Sequence, residues 1–189
     1  HDYIYRDVSS AYNTVFNSNT GILTWAFNMR QRRADPSGFD SNNYGVAFVL
    51  GCNSNNFLTG SGYAVVLGNS GTSDNLRLVR FVNGLDANAN ITNIIAPAVD
   101  YGTDYLTVKV TYNPVGNNWS LYIGNNLTTF TDPNTATYIQ LGATTSDATY
   151  TGTDLLFLGC LWKHVTSSTD FADFDIIRIP NLCTIDLQP

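Results

Sequence analysis

The chain has 189 residues, 43% hydrophobic and only 13% charged, and a formal net charge of -6. That length suits one domain, because single cores commonly span about 50 to 250 residues. With Lys109 and Lys163 as the only lysines, the chain has no cationic footprint for phosphate backbones. No run approaches the ~18 apolar residues that cross a bilayer, so neither nucleic acid nor membrane insertion is expected.

Period-two alternation dominates the chain from the start. In Leu23-Thr24-Trp25-Ala26-Phe27-Asn28-Met29-Arg30 the odd positions are apolar, as in a strand with one buried face. A turn follows at Asp35-Pro36-Ser37-Gly38. Residues 44–50 and then 63–67 are apolar on both sides and read as central strands. Residues 105–112 alternate again, with Leu106, Val108, Val110 and Tyr112 inward and Thr107, Lys109 and Thr111 outward. After the turn at Asn113-Pro114, Trp119, Leu121 and Ile123 repeat the pattern. Residues 155–162 and 174–179 are apolar on both sides and also predict central strands. The Gly, Asn, Asp and Pro clusters between runs favour turns, since glycine accepts positive φ and Asx side chains bond their own backbone. Roughly ten to thirteen short strands at even spacing, with no helix beyond a turn or two, predict an all-β sandwich or barrel.

Cys52, Cys160 and Cys183 allow one bridge in any of three pairings. Cys52 and Cys160 end apolar runs and read as small buried hydrophobes. The first residue is His1, which suggests an excised piece of a longer precursor, and residues 181–189 suggest an exit into a linker.

Several stretches carry a family likeness: Gly21-Ile22-Leu23-Thr24-Trp25-Ala26-Phe27; Tyr44-Gly45-Val46-Ala47-Phe48; Gly62-Tyr63-Ala64-Val65-Val66-Leu67, with Leu76-Arg77-Leu78; and the closing Phe174-Asp175-Ile176-Ile177-Arg178. Together they resemble a concanavalin A-like, laminin-G-like jelly-roll domain of large secreted surface proteins of gliding bacteria that use type IX secretion. The likeness implies a two-sheet antiparallel β-sandwich over residues 1–180 and a secreted or cell-surface location. Because this fold hosts lectins, hydrolases, lyases and spacers alike, activity has to be argued from the residues.

All 15 acidic residues are aspartate. Glycoside hydrolysis needs two carboxyl groups flanking the scissile bond, and without glutamate the remaining candidate is Asp173 with Asp175. Two apart on a strand, they share a face with Cβ atoms about 7 Å apart. His1 and His164 are the only histidines, and no nucleophile elbow occurs, so the chain is expected to be no enzyme. Calcium suits it better, because hard cations take six to eight oxygens from Asp, Asn and backbone carbonyls. The family likeness implies a calcium site at Asp175, with Asp173 beside it and Asp2 or Asp7 from the opening strand. The loop from Asn69 to Asn75, with Asp74, offers a second.

Sugar recognition calls for an aromatic plate against the apolar sugar face and planar polar groups for its hydroxyls. Arg30, Gln31, Arg32 and Arg33 run into a turn holding Phe39, Asp40, Asn42, Asn43 and Tyr44. Trp162, Lys163 and His164 end another strand, and Tyr63, Arg77 and Arg80 are placed on the same sheet face. With Trp25 and Trp119 assigned to the core by alternation, Trp162 is the tryptophan expected at a rim. The expected ligand set is Arg30, Arg32, Tyr44, Tyr63, Arg80, Trp162 and His164. These residues predict a non-catalytic module that binds polysaccharide or surface glycan, with calcium as a structural aid. The competing expectation is a structural or adhesive building block that contacts neighbouring domains or copies of itself.

Overall fold

A computed structural model describes residues 1–39, 44–166 and 169–180. The turn residues Asp40, Asn42 and Asn43, Cys183 and the expected exit segment 181–189 lie outside the described residues. Eleven strands follow in order: β1 (Asp2–Asp7), β2 (Leu23–Gln31), β3 (Gly45–Cys52), β4 (Gly62–Leu67), β5 (Leu76–Phe81), β6 (Ile91–Ile95), β7 (Leu106–Asn113), β8 (Asn118–Gly124), β9 (Tyr138–Ser146), β10 (Phe157–Lys163) and β11 (Ala172–Arg178). They form a six-stranded sheet, β1-β10-β3-β4-β5-β6, and a five-stranded sheet, β11-β2-β7-β8-β9, and every pairing is antiparallel. The helices among the described residues are two single 3-10 turns. The architecture is the expected two-sheet antiparallel sandwich of the jelly-roll class.

The core between the sheets is built by the alternation read from sequence. Leu23, Trp25, Phe27 and Met29 of β2 and Leu106, Val108, Val110 and Tyr112 of β7 meet Val46, Phe48 and Leu50 of β3. Aromatic rings fill it: Phe27 stacks on Phe48 with centroids 3.9 Å apart, and Trp119 lies 6.1 Å from Trp25 and 4.5 Å from Tyr63. Truncating one such buried ring to alanine costs about 3–5 kcal/mol.

The two sheets differ on their outer faces. Antiparallel sheets often leave one side wet, but the outer face of the six-stranded sheet is buried too over its central strands, while the edge strand β1 stays exposed. Ala47, Val49, Cys52, Ala64, Val66, Val79 and Leu161 form a second apolar layer capped by Phe39, Phe57 and Leu85 from the loops. This explains why β3 and β4 are apolar at every position. Residues 174–179 are apolar on both sides for another reason. They lie in and just beyond β11, which is the edge of the five-stranded sheet and not a central strand. Its core-facing side carries Ala172 and Phe174, whereas Ile177 is 42% exposed, past a register shift between Asp175 and Arg178.

Cys52 belongs to the outer apolar layer and Cys160 to the central core, on opposite faces of one sheet, so they do not pair with each other. Burial pushes their thiols up to about 11 and about 12, which leaves both inert near neutral pH.

Candidate functional site

With the central strands of the six-stranded sheet covered, the outer face of the five-stranded sheet carries a row of polar and aromatic side chains, although Ala26, Asn28 and Thr107 on it are themselves buried. Register defines its rows. Arg178, Ala26, Lys109, Tyr122 and Gln140 stand side by side across all five strands, a band about 19 Å long at the usual strand spacing. The Lys109 ammonium lies 4.4 Å from the Tyr122 ring centroid and 4.3 Å from that of Tyr138, holding two rings in place from one point. Tyr138 is fixed further by donating its hydroxyl to the Pro133 carbonyl at 3.0 Å.

One end of this face is an open groove of about 460 Å³, lined by Arg32, Tyr105, Phe130, Ala172, Asp173, Phe174 and Asp175. Asp173 and Asp175 flank Phe174, whose side chain goes to the core, so both carboxylates share the outer face as alternation predicts. Asp173 is paired in register with Arg30. The Arg30 guanidinium lies 4.0 Å above the Tyr105 ring and donates to the Thr103 carbonyl at 2.7 Å. Tyr105 meets Phe130 edge to face at 5.0 Å. The loop bearing Phe130 is tied to the sheet where the Thr131 amide donates to the Thr107 hydroxyl at 3.2 Å. Arg32 is held at 3.4 Å from Asp173 and 3.8 Å over the Phe171 ring. The groove thus combines aromatic walls with pre-positioned planar charges.

Arg32, expected as a sugar ligand, and the pair Asp173 and Asp175, expected as metal ligands or an acid pair, come together in one groove with Arg30 at its edge. Tyr105, Phe130, Tyr122 and Tyr138 were missed. Tyr122 was legible, since it stands between the inward Leu121 and Ile123. Phe130 carries only the weak signal of an aromatic among turn-forming residues.

The other expected ligand residues lie elsewhere. Tyr63 is fully buried, and its hydroxyl donates to Asp147 Oδ1 at 2.9 Å while accepting the Tyr150 amide at 3.0 Å. Arg80 forms an ion pair with Asp147. Desolvation pushes the Asp147 carboxyl up, but hydrogen bonds from Thr149, Tyr63 and Arg80 outweigh it and hold the group below the usual carboxylate range. Trp162 is 9% exposed and packs inward against the core, not at a rim. Its ring sits between Tyr44 and His164, at 6.1 and 6.0 Å, and His164 meets Asp2 at 2.9 Å. Tyr44 in turn lies under Arg33, 3.9 Å away. These contacts brace one end of the sandwich, and none of these residues lines the groove.

For calcium, the closing-strand set does not fit. Asp7 accepts the Ser9 amide and hydroxyl at 2.9 and 2.7 Å, Asp173 faces Arg32, and Asp175 accepts the Ile176 amide. Asp7 and Asp175 sit on edge strands of different sheets. Among the described residues no three His, Cys or Asp side chains gather as a metal-binding group.

No family model matches the chain, and no curated protein matches it. Among solved structures, an alginate lyase from Pseudomonas aeruginosa is similar at 11% identity with a TM-score of 0.46, over 90% of this chain and 68% of that one. The sandwich assignment rests on the two sheets themselves.

Proposed function

We propose that the chain is a non-catalytic glycan-binding module, secreted or displayed at a cell surface, that holds an uncharged polysaccharide along the outer face of the five-stranded sheet. The observation that carries this reading is the asymmetry between the two outer faces. One is capped over its central strands by Phe39, Phe57 and Leu85, with only the edge tyrosines Tyr3 and Tyr5 exposed among the aromatics described there, while the other offers Tyr105, Phe130, Tyr122 and Tyr138 beside fixed hydrogen-bonding groups. Aromatic rings bury the apolar sugar face, and planar polar groups orient hydroxyls.

Charge favours a neutral polymer over a uronate. Arg32 is already engaged by Asp173, and Asp175 adds a second carboxylate to the groove, on a chain of net charge -6. An acidic sugar would meet repulsion at close range. The non-catalytic reading is supported by the donor set, since neither glutamate nor histidine lines the groove. The surface location is supported by the low lysine and high Asn and Thr content, and an affiliation with type IX secretion by the family likeness alone.

The test is affinity electrophoresis through neutral and uronate polysaccharides, with Phe130→Ala, Tyr122→Ala and the buried control Tyr44→Phe. Retardation by a neutral polymer, weakened about tenfold in the first two variants only, supports the reading; a tenfold loss corresponds to about 1.4 kcal/mol, as expected for one stacked ring. Retention on no polymer, with concentration-dependent self-assembly in sedimentation, would replace it with the building-block reading. Release of sugar fragments would replace it with an enzyme.

A further inference from the structure

The opposite extreme of electrostatic comfort occurs where three loop segments meet beside the start of β5. Asp74 is 1% exposed, and its Oδ1 has no hydrogen-bond donor. The next residue, Asn75, is 7% exposed, and its Oδ1 is likewise buried and without a donor. Two adjacent orphaned acceptors are costly, because a buried oxygen without a partner forfeits its hydration for nothing, and a charged one forfeits more.

The surroundings add negative charge. Asp100 Oδ1 accepts the Asp74 amide at 3.4 Å, and the Tyr101 amide donates to the Asp74 carbonyl at 3.1 Å, so the two loops are clamped together. Burial first, and then the fields of Asp100 and Asp35, push the Asp74 carboxyl up to about 7. A buried carboxylate oxygen and a buried amide oxygen, both without a donor, call for an electropositive partner. Asp74, Asn75 and Asp100 offer oxygen acceptors and neither thiol nor imidazole, which is the donor chemistry of a hard divalent ion.

We infer that Asp74, Asn75 and Asp100, with backbone carbonyls of their loops, form a weak calcium site that pins the loop before β5 to the loop before β7. Two carboxylates, an amide oxygen, carbonyls and water make up the set. So small a ligand charge belongs to the weak range of extracellular calcium modules, Kd about 10⁻⁴ M. This site shares no residue with the glycan groove, although Thr103 and Tyr105 of the same loop before β7 reach that groove's edge.

The experiment uses the whole chain stripped with chelator. Calcium at 100 times a Kd of about 10⁻⁴ M raises Tm by about 5–10 °C, and magnesium raises it much less. Terbium in place of calcium gives luminescence sensitised by Tyr101, which neighbours Asp100. Asp74→Asn and Asp100→Asn each abolish both signals, while Asp175→Asn preserves them. Absence of a Tm response together with dark terbium would overturn the site and leave Asp74 as a protonated acid. A response that survives Asp74→Asn would overturn it by placing the ion elsewhere.

Discussion

Replacing Asp147 by alanine perturbs the most connected polar group of the interior. Its carboxylate receives the Tyr63 hydroxyl at 2.9 Å, the Thr149 amide at 3.0 Å and the Arg80 guanidinium. The backbone of the same residue accepts the Trp119 indole at 3.0 Å and donates to the Asn117 carbonyl at 3.0 Å. Truncation strands the Tyr63 hydroxyl and the Thr149 amide. The Arg80 side chain, 34% exposed, recovers water and contributes little to the loss. Two bonds to a charged acceptor at about 1.5–2 kcal/mol each give a loss of about 3–4 kcal/mol. For a domain of this size that lowers Tm by about 6–16 °C. Because the folded carboxyl sits below its unfolded value, its contribution is complete above the unfolded pKa of about 4 and fades as pH falls through the folded one. The wild type therefore loses stability on acidification toward pH 3, and Asp147→Ala loses less. Urea and thermal unfolding at pH 7 and pH 3 measure both quantities. A variant within 2 °C of wild type at pH 7, or an unchanged acid slope, would refute the assignment of this carboxylate as a structural hub.

Two further outcomes follow from other parts of the molecule. In chelator, Asp74 works in the opposite sense to Asp147: its folded pKa is raised to about 7, so folded protein holds a proton that unfolded protein releases, and stability falls as pH rises from about 4 to 7. Asp74→Asn flattens that segment of the Tm-against-pH curve, as scanning calorimetry between pH 4.5 and 8 will register. At Gly159 a Cβ would collide with the Ile4 carbonyl oxygen of the neighbouring β1. Gly159→Ala therefore costs about 2–3 kcal/mol by forcing the edge strand away, seen as faster proteolysis within residues 1–7 while the rest of the sandwich persists.

Much of this protein was legible without coordinates, because a strand's side-chain period is two and its buried face must be apolar. Trp25 and Trp119 were assignable to the core, Tyr122 to the outside, and Asp173 and Asp175 to one face, from alternation alone. The absence of glutamate and the scarcity of histidine were equally plain. Strand order was beyond that signal, and so was the reason for a doubly apolar run: β3 earns it by lying between two apolar layers, whereas β11 is an edge strand on which Ile177 is left exposed. Loops decide which sheet face stays open, and they travel far in sequence, from Phe57 and Leu85 on one side to Phe130 on the other. Burial of Tyr63, Trp162 and the Asp74 carboxyl depends on what those distant segments place above them, and no local pattern encodes a neighbour supplied by the rest of the chain.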